Sequence, residues 1–90
     1  MTIMDANCIF CRIVAGQIPA KKVYEDDEMI AFHDIHPWAP VHILMVPKTH
    51  IASMVEVTAE HAPLLGRMIA LSPRLMRELG VSNGFRQVVN

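Results

Sequence analysis

The 90-residue sequence lacks the long apolar run and the surplus of one charge that mark proteins of membranes and nucleic acids. An apolar run such as residues 43–46 is far shorter than the roughly 20 residues that span a bilayer. The formal net charge is −1, which gives no basic surface for a nucleic acid. No basic segment followed by an apolar core opens the chain, so no signal peptide is predicted. These absences predict a cytoplasmic protein that binds neither nucleic acid nor membrane.

Cysteine is also scarce, and the two cysteines, Cys8 and Cys11, stand together as C-x-x-C. Without an export signal a structural disulfide is disfavoured, and metal binding or redox use is indicated. Apolar residues make up 52% of the chain and charged residues 19%, which is typical of a globular protein. A chain of this length buries about 60% of its unfolded surface, so one domain over 1–90 is predicted.

The hydrophobic pattern predicts an α+β fold, with an antiparallel meander and a long helix on one face. In chain order, the predicted elements are a short helix over 8–15, strands over 22–25, 29–33 and 41–46, a long helix from Thr58 to Gly80, and a strand over 85–90. The third strand is mostly apolar, which predicts burial on both faces. Pro73 removes a backbone donor inside the long helix, which predicts a kink or a split near residues 71–72.

The cysteine pair is a candidate metal site. On a helix, residues at i and i+3 share a face, so both thiolates can reach one zinc ion. Among the five histidines, His50 follows a predicted strand and is placed to be a third ligand. The alternative is a pair of half-buried thiols without function. A thioredoxin-like use would need a strand before Cys8, and the pattern predicts none there.

Asp34 is a candidate binding residue because it follows the second predicted strand. A carboxylate at a strand end can accept both hydroxyls of a ribose. The alternative, which Asp34 alone favours, is a turn aspartate that binds its own backbone. No glycine-rich phosphate loop, paired-carboxylate site or Ser/His/Asp set is found in the sequence.

Six segments together carry a family resemblance: 8-CIFCRIVAGQIPA-20, 23-VYEDD-27, 31-AFHDI-35, 40-PVH-42, 46-VPKTHI-51 and 84-GFRQVVN-90. In this order the chain resembles the histidine triad (HIT) family, in its nucleoside phosphoramidase-like branch. The resemblance implies an α+β fold and a symmetric homodimer through the long helix. It also implies a purine nucleotide or nucleoside phosphoramidate as ligand.

The resemblance assigns roles to residues by position. The matches to the nucleotide-binding positions are Ile9, Phe10, Ile13, Phe32, His33, Asp34, Ile35 and Asn90. Asp34 matches the residue that holds the ribose hydroxyls, and Asn90 matches an amide near the phosphate. His50 matches a supporting histidine beside the active site. In members that carry C-x-x-C, Cys8, Cys11 and His50 match three of four zinc ligands, so Zn²⁺ is the expected cofactor.

The family's catalytic motif, His-x-His-x-His, follows the position of Asn90, and no two of the five histidines here are separated by one residue. The expectation is a HIT-like domain that is incomplete at its C-terminus, lacks the last strands and is inactive as 90 residues. One hypothesis is a shortened nucleotide phosphoramidase or hydrolase, which acts through a nucleotidyl-histidine intermediate. The alternative is a non-catalytic nucleotide-binding or dimeric interaction module, and a zinc-stapled structural protein is a third.

Overall fold

The computed structural model describes residues 7–90, and the chain divides into two compact units after His50. The first unit contains helix α1 (Ile9–Val14) and strands β1 (Lys22–Glu25), β2 (Met29–His33) and β3 (Ile43–Pro47). The second unit contains 3-10 turns at Met54–Glu56 and Ala59–His61, and helix α2 (Ala62–Glu78). The fold class is α+β, as predicted, while one domain over 1–90 stays a prediction.

The strands form an antiparallel sheet in the order β1-β2-β3. Opposite residues in β2 and β3 include the pairs Ile30–Val46 and Phe32–Leu44. The central strand β2 forms the core of this unit, since its first four residues are at most 4% exposed. The predicted bounds of β1 and β2 are confirmed.

The prediction for β3 is wrong in its bounds and in its burial. The strand begins at Ile43 and ends at Pro47, and all five of its residues are only half-buried. In the sheet formed by residues 7–90, β3 has β2 as its one neighbour, so it is an edge strand. The strand buried on both faces is β2 instead, since its first four residues, which alternate between the faces, are at most 4% exposed.

The turn between β1 and β2 is organised by the side chain of Asp26. Its Oδ1 accepts hydrogen bonds from the backbone amides of Glu28 at 2.7 Å and Met29 at 2.9 Å. Its Oδ2 accepts a hydrogen bond of 2.7 Å from the hydroxyl of Tyr24. The hydrogen bond from the tyrosine hydroxyl lowers the pKa of Asp26 below its ordinary value of 3.8, and the amide of Glu28 contributes a smaller effect in the same direction.

The ionised form of Asp26 therefore stabilises the fold at neutral pH, and this stabilisation is lost as the pH falls from about 4 through the lower pKa of the folded state. We expect Asp26→Asn to reduce the free energy of unfolding at pH 7 by about 1 to 2 kcal/mol. Urea denaturation at pH 7 and pH 3 measures the effect, with Asp27→Asn as the control in the same turn. An equal loss in both variants, or the same loss at both pH values, would contradict this account.

Glu25, at the end of β1, pairs with two lysines. The Nζ of Lys48 lies 2.9 Å from Oε2, and the Nζ of Lys22 lies 3.0 Å from Oε1. These hydrogen bonds lower the pKa of Glu25, and the one from Lys48 has the larger effect. The carboxylate is exposed to solvent, so the pairs fix the position of Lys48 more than they stabilise the fold.

The ends of α2 follow from local sequence signals. The predicted N-cap Thr58 caps the preceding 3-10 turn instead of α2, and its backbone amide donates to Nδ1 of His61 at 3.0 Å. Pro63 lies in the first turn of α2, where a missing backbone donor costs little. Gly80 follows the helix with φ of 86°, which confirms the predicted glycine stop. No helix within residues 7–90 is long and apolar enough to cross a membrane.

The predicted split of the long helix at Pro73 is wrong, because α2 continues through it to Glu78; the kink stays a prediction. The hydroxyl of the buried Ser72 donates to the carbonyl of Met68 at 3.1 Å. Leu75, 2% exposed, is packed on the far side of the proline. Bonding and packing on both sides of Pro73 keep the helix intact despite the lost backbone donor.

The predicted strand over residues 85–90 is also wrong. Residues 85–90 have no regular secondary structure, and in the chain from residue 7 onwards no strand pairs with them. The segment is held by the side-chain amide of Gln87, which donates to Oγ of Ser72 at 2.7 Å. The carbonyl of Asn90 accepts from the amide of Met54 at 2.8 Å. An alternating pattern gives a strand only where a neighbour completes the ladder.

Candidate functional site

The first unit brings Cys8, Cys11 and His50 together. Cys8 caps the start of α1 and Cys11 lies three residues later, while His50 follows the end of β3. One ligand atom from each of the three residues lies within 4.8 Å of the others. Cys11 Sγ and His50 Nδ1 share a hydrogen bond of 3.1 Å. Cys11 is buried and the other two residues are half-buried, so the predicted cluster is confirmed as a geometric group.

The donor set and its spacing suit a zinc ion. Zinc prefers thiolate and imidazole ligands, at about 2.3 Å for sulfur and about 2.0 Å for nitrogen. Ligand atoms at these distances in a tetrahedron lie roughly 3.5 to 3.8 Å apart. The observed atoms, all within 4.8 Å, therefore need only small side-chain rotations to hold zinc. The cluster can supply three protein ligands, and zinc itself stays a prediction.

Asp34 lies just after β2, and its two carboxylate oxygens have different partners. Oδ1 accepts a hydrogen bond of 2.9 Å from the backbone amide of His36. Oδ2 lies 3.5 Å from Nε2 of His42. The aspartate thus accepts a hydrogen bond from the nearby backbone, which is the turn-aspartate alternative predicted from the sequence. A carboxylate has about four acceptor sites, so these contacts leave capacity for two further donors.

His42 is a site residue that the sequence reasoning missed. The antiparallel pair His33–Ile43 closes the ladder of β2 and β3, so the next positions outward are Asp34 and His42. The backbone amide of Asp34 accordingly donates to the carbonyl of His42 at 3.0 Å. The signal that could have found His42 is the strand register, which places Asp34 and His42 opposite each other.

The other predicted nucleotide-binding residues of this unit are Ile9, Phe10, Ile13, Phe32, His33 and Ile35. Three of them present apolar surface to solvent: Ile9 is 56% exposed, Phe10 39% and Ile35 85%. Phe32 is 4% exposed and forms part of the sheet core. Ile13 and His33 are half-buried. Their roles around a nucleoside stay predictions, and the exposed three are the ones with surface to offer a ligand.

Asn90 lies in the second unit, where it is exposed and its carbonyl is bonded to Met54. Its predicted role, an amide near a phosphate, stays a prediction. His50, predicted as a supporting residue, has its Nδ1 engaged with Cys11.

The sheet with its thiol–imidazole cluster and strand-end carboxylate defines an α+β protein with a candidate metal site and a candidate small-molecule site. Comparison with known proteins is consistent with this class. The family model described as scavenger mRNA decapping enzyme C-terminal binding matches residues 7–89. The protein HitA of Neisseria gonorrhoeae is 48% identical over 84 residues, which are 93% of this chain and 78% of that protein. An uncharacterised HIT-like protein of Synechococcus elongatus is 45% identical over 87 residues, 97% of this chain and 76% of that protein.

Solved structures give the same result. A histidine triad protein from Clostridium difficile matches with a TM-score of 0.91 and 38% identity, over 98% of this chain and 77% of that one. A HIT family hydrolase from Legionella pneumophila matches with a TM-score of 0.88 and 42% identity, over 93% of this chain and 78% of that one. The chain belongs to the histidine triad family, as the resemblance in the sequence predicted, while the nucleoside phosphoramidase-like branch stays a prediction.

Proposed function

We propose that Asp34 and the exposed apolar residues of α1 bind the nucleoside part of a purine nucleotide. The reaction that this binding serves is the HIT-family hydrolysis of nucleoside phosphoramidates or related nucleotidyl conjugates. The observation that carries the proposal is Asp34, a carboxylate at a strand end whose oxygens are oriented by separate partners and keep acceptor capacity. Exposed Ile9 and Phe10 on α1 offer apolar surface for a base. The hydrolase named among the matching structures supports hydrolysis as the reaction class.

The proposed reaction is a double displacement. A histidine nitrogen attacks the α-phosphorus, the bond from phosphorus to the leaving nitrogen breaks, and the departing amine takes a proton. Water then cleaves the nucleotidyl-imidazole. No two histidines in these 90 residues are separated by one residue, so they do not supply the His-x-His-x-His nucleophile. In this proposal Asp34 holds the ribose hydroxyls.

Zinc has a structural part in the proposal. Cys8, Cys11 and His50 would hold Zn²⁺, which links the start of α1 to the end of β3. When bound, the ion would supply a cross-link, because its ligands come from the start of α1 and from the residue after β3. By fixing α1, it would keep Ile9 and Phe10 in place.

A homodimer through α2 and a cytoplasmic location complete the proposal. Ile69 supports the dimer, because this apolar side chain of α2 is 55% exposed. Light scattering of the zinc-loaded chain tests this part by its mass.

Nucleotide binding is tested by titrating the zinc-loaded chain with adenosine 5′-monophosphate in a calorimeter. We expect saturable binding that Asp34→Asn weakens by about 10- to 100-fold, because a hydrogen bond to a charged group is lost. Asp27→Asn, an exposed aspartate in the β1–β2 turn, is the matched control and should bind as the parent does. Absence of saturable binding, or equal binding by Asp34→Asn, would refute the proposal.

A binding module without turnover is the second candidate, because these residues lack alternating histidines. For the 90-residue chain itself we expect no hydrolysis of adenosine 5′-phosphoramidate. Hydrolysis activity that co-purifies with the chain through successive chromatography columns would overturn that expectation. The nucleotide sequence after codon 90 separates the two candidates: a frame that continues into His-x-His-x-His supports the hydrolase, and a stop codon supports the module.

A further inference from the structure

The imidazole of His42 joins three parts of the segment between β2 and β3. Its Nδ1 accepts a hydrogen bond of 3.0 Å from the backbone amide of Trp38. Its Nε2 lies 3.5 Å from Oδ2 of Asp34. The backbone carbonyl of His42 accepts from the amide of Asp34 at 3.0 Å. One ring nitrogen therefore bonds the loop, and the other lies beside the carboxylate.

These contacts define which ring nitrogen of His42 carries the proton. Nδ1 accepts from the Trp38 amide, so it presents a lone pair. The proton of the neutral ring then lies on Nε2, which faces the carboxylate of Asp34. The side chains of His42 and Asp34 are 29% and 22% exposed, so solvent screens this contact only in part.

The carboxylate of Asp34 consequently has a neighbour at each oxygen, a hydrogen bond at Oδ1 and the His42 ring 3.5 Å from Oδ2. The amide of His36 fixes Oδ1, and the ring of His42 faces Oδ2. Rotation of the carboxylate would break one contact or the other. Two neighbouring hydroxyls of a ribose need both oxygens in one fixed orientation, and a group held beforehand binds them at a lower entropic cost.

We propose that His42 is a positioning residue that orients Asp34 toward a cis-diol and thereby selects ribonucleotides over deoxyribonucleotides. The inference rests on the proposed function, because it assumes that Asp34 receives the ribose hydroxyls. It adds the residue that sets the orientation and the class of ligand that this orientation favours.

The test is the ratio of the dissociation constants for 2′-deoxyadenosine 5′-monophosphate and adenosine 5′-monophosphate. For the parent chain we expect a ratio of about 10 or more, since the deoxy ligand leaves an acceptor of Asp34 without its donor. His42→Asn keeps an acceptor near the Nδ1 position and removes the donor toward Asp34, so its ratio should fall to about 1 to 3. His42→Gln reaches the Nε2 position with an amide donor and should restore part of the ratio.

His36→Ala is the matched control, because His36 orients Asp34 through its backbone amide and its side chain is exposed. This variant should keep the parent ratio. A parent ratio near 1 would overturn the proposed function together with this inference. A high parent ratio that His42→Asn leaves unchanged would overturn this inference alone.

One measurement needs no substitution. Long-range ¹H–¹⁵N correlation spectra of the unliganded parent chain report which nitrogen of His42 carries the proton. We expect the neutral ring to be protonated on Nε2. A proton on Nδ1 would overturn the inference, because that ring could not accept from Trp38 while donating to Asp34.

Discussion

Zinc is expected to bind the reduced chain one to one and to raise its unfolding temperature by about 10 °C or more when free zinc exceeds the dissociation constant about a hundredfold. The reason is that the ligand atoms of Cys8, Cys11 and His50 already lie within 4.8 Å of one another in the fold. An unfolded chain separates His50 from the two cysteines, so the ion stabilises the folded state selectively. Scanning calorimetry with and without zinc measures the shift.

Substitution of a ligand tests whether these three residues form the site. We expect Cys11→Ser and His50→Ala to weaken zinc binding by about 100-fold or more, since even residues behind a metal's ligands affect affinity by about 10- to 100-fold. His36→Ala is the control, because His36 lies outside the cluster. Competition with a chromophoric chelator gives the affinities. Equal affinity in His50→Ala and the parent, or a parent without a thermal shift, would contradict the assignment.

Ile30→Ala is expected to lower the free energy of unfolding by about 2 to 5 kcal/mol. Ile30 is 1% exposed in the central strand, so the truncation leaves a cavity in the core of the first unit. Natural domains have a total stability of about 5 to 15 kcal/mol, and a large share of the chains would therefore unfold.

Val55→Ala is the matched control for Ile30→Ala, because Val55 is 93% exposed and its truncation should change stability by less than about 0.5 kcal/mol. Urea denaturation of both variants gives the comparison. The burial account fails if Ile30→Ala costs no more than the control.

The elements that sequence reasoning located correctly are those fixed by local signals. The polar turn after Glu25 and the apolar residues on either side of it predict β1 and β2, and the side chain of Asp26 closes that turn with bonds to nearby residues. Gly80 ends α2 by a backbone conformation that suits glycine. Neither signal depends on distant parts of the chain.

The errors concern features that depend on neighbours. The burial of β3 depends on the number of strands beside it, and one neighbour leaves an edge strand half-buried. Whether residues 85–90 form a strand depends on a partner, which spacing alone does not reveal. The continuity of α2 at Pro73 depends on the packing of Leu75 and the bonds of Ser72.

The same distinction applies to the site. Cys8 caps α1 and Cys11 lies in its first turn, so their approach follows from spacing, and the position of His50 after a strand makes it the third candidate. The contact of His42 with Asp34 needs the register of β2 and β3, which is known only once the strand ends are placed. Finding His42 therefore needed the exact bounds of β3, which are Ile43–Pro47 and not the predicted 41–46.

The central claim is that Asp34 and the exposed apolar residues of α1 form a nucleoside site. A ¹H–¹⁵N titration of the zinc-loaded chain with adenosine 5′-monophosphate tests it most directly. We expect saturable shifts at the amides of Ile9, Phe10, Asp34 and Ile35, and we expect the Asp34→Asn variant to lose them at the same nucleotide concentration. Shifts confined to other residues, or no shifts at millimolar nucleotide, would contradict it.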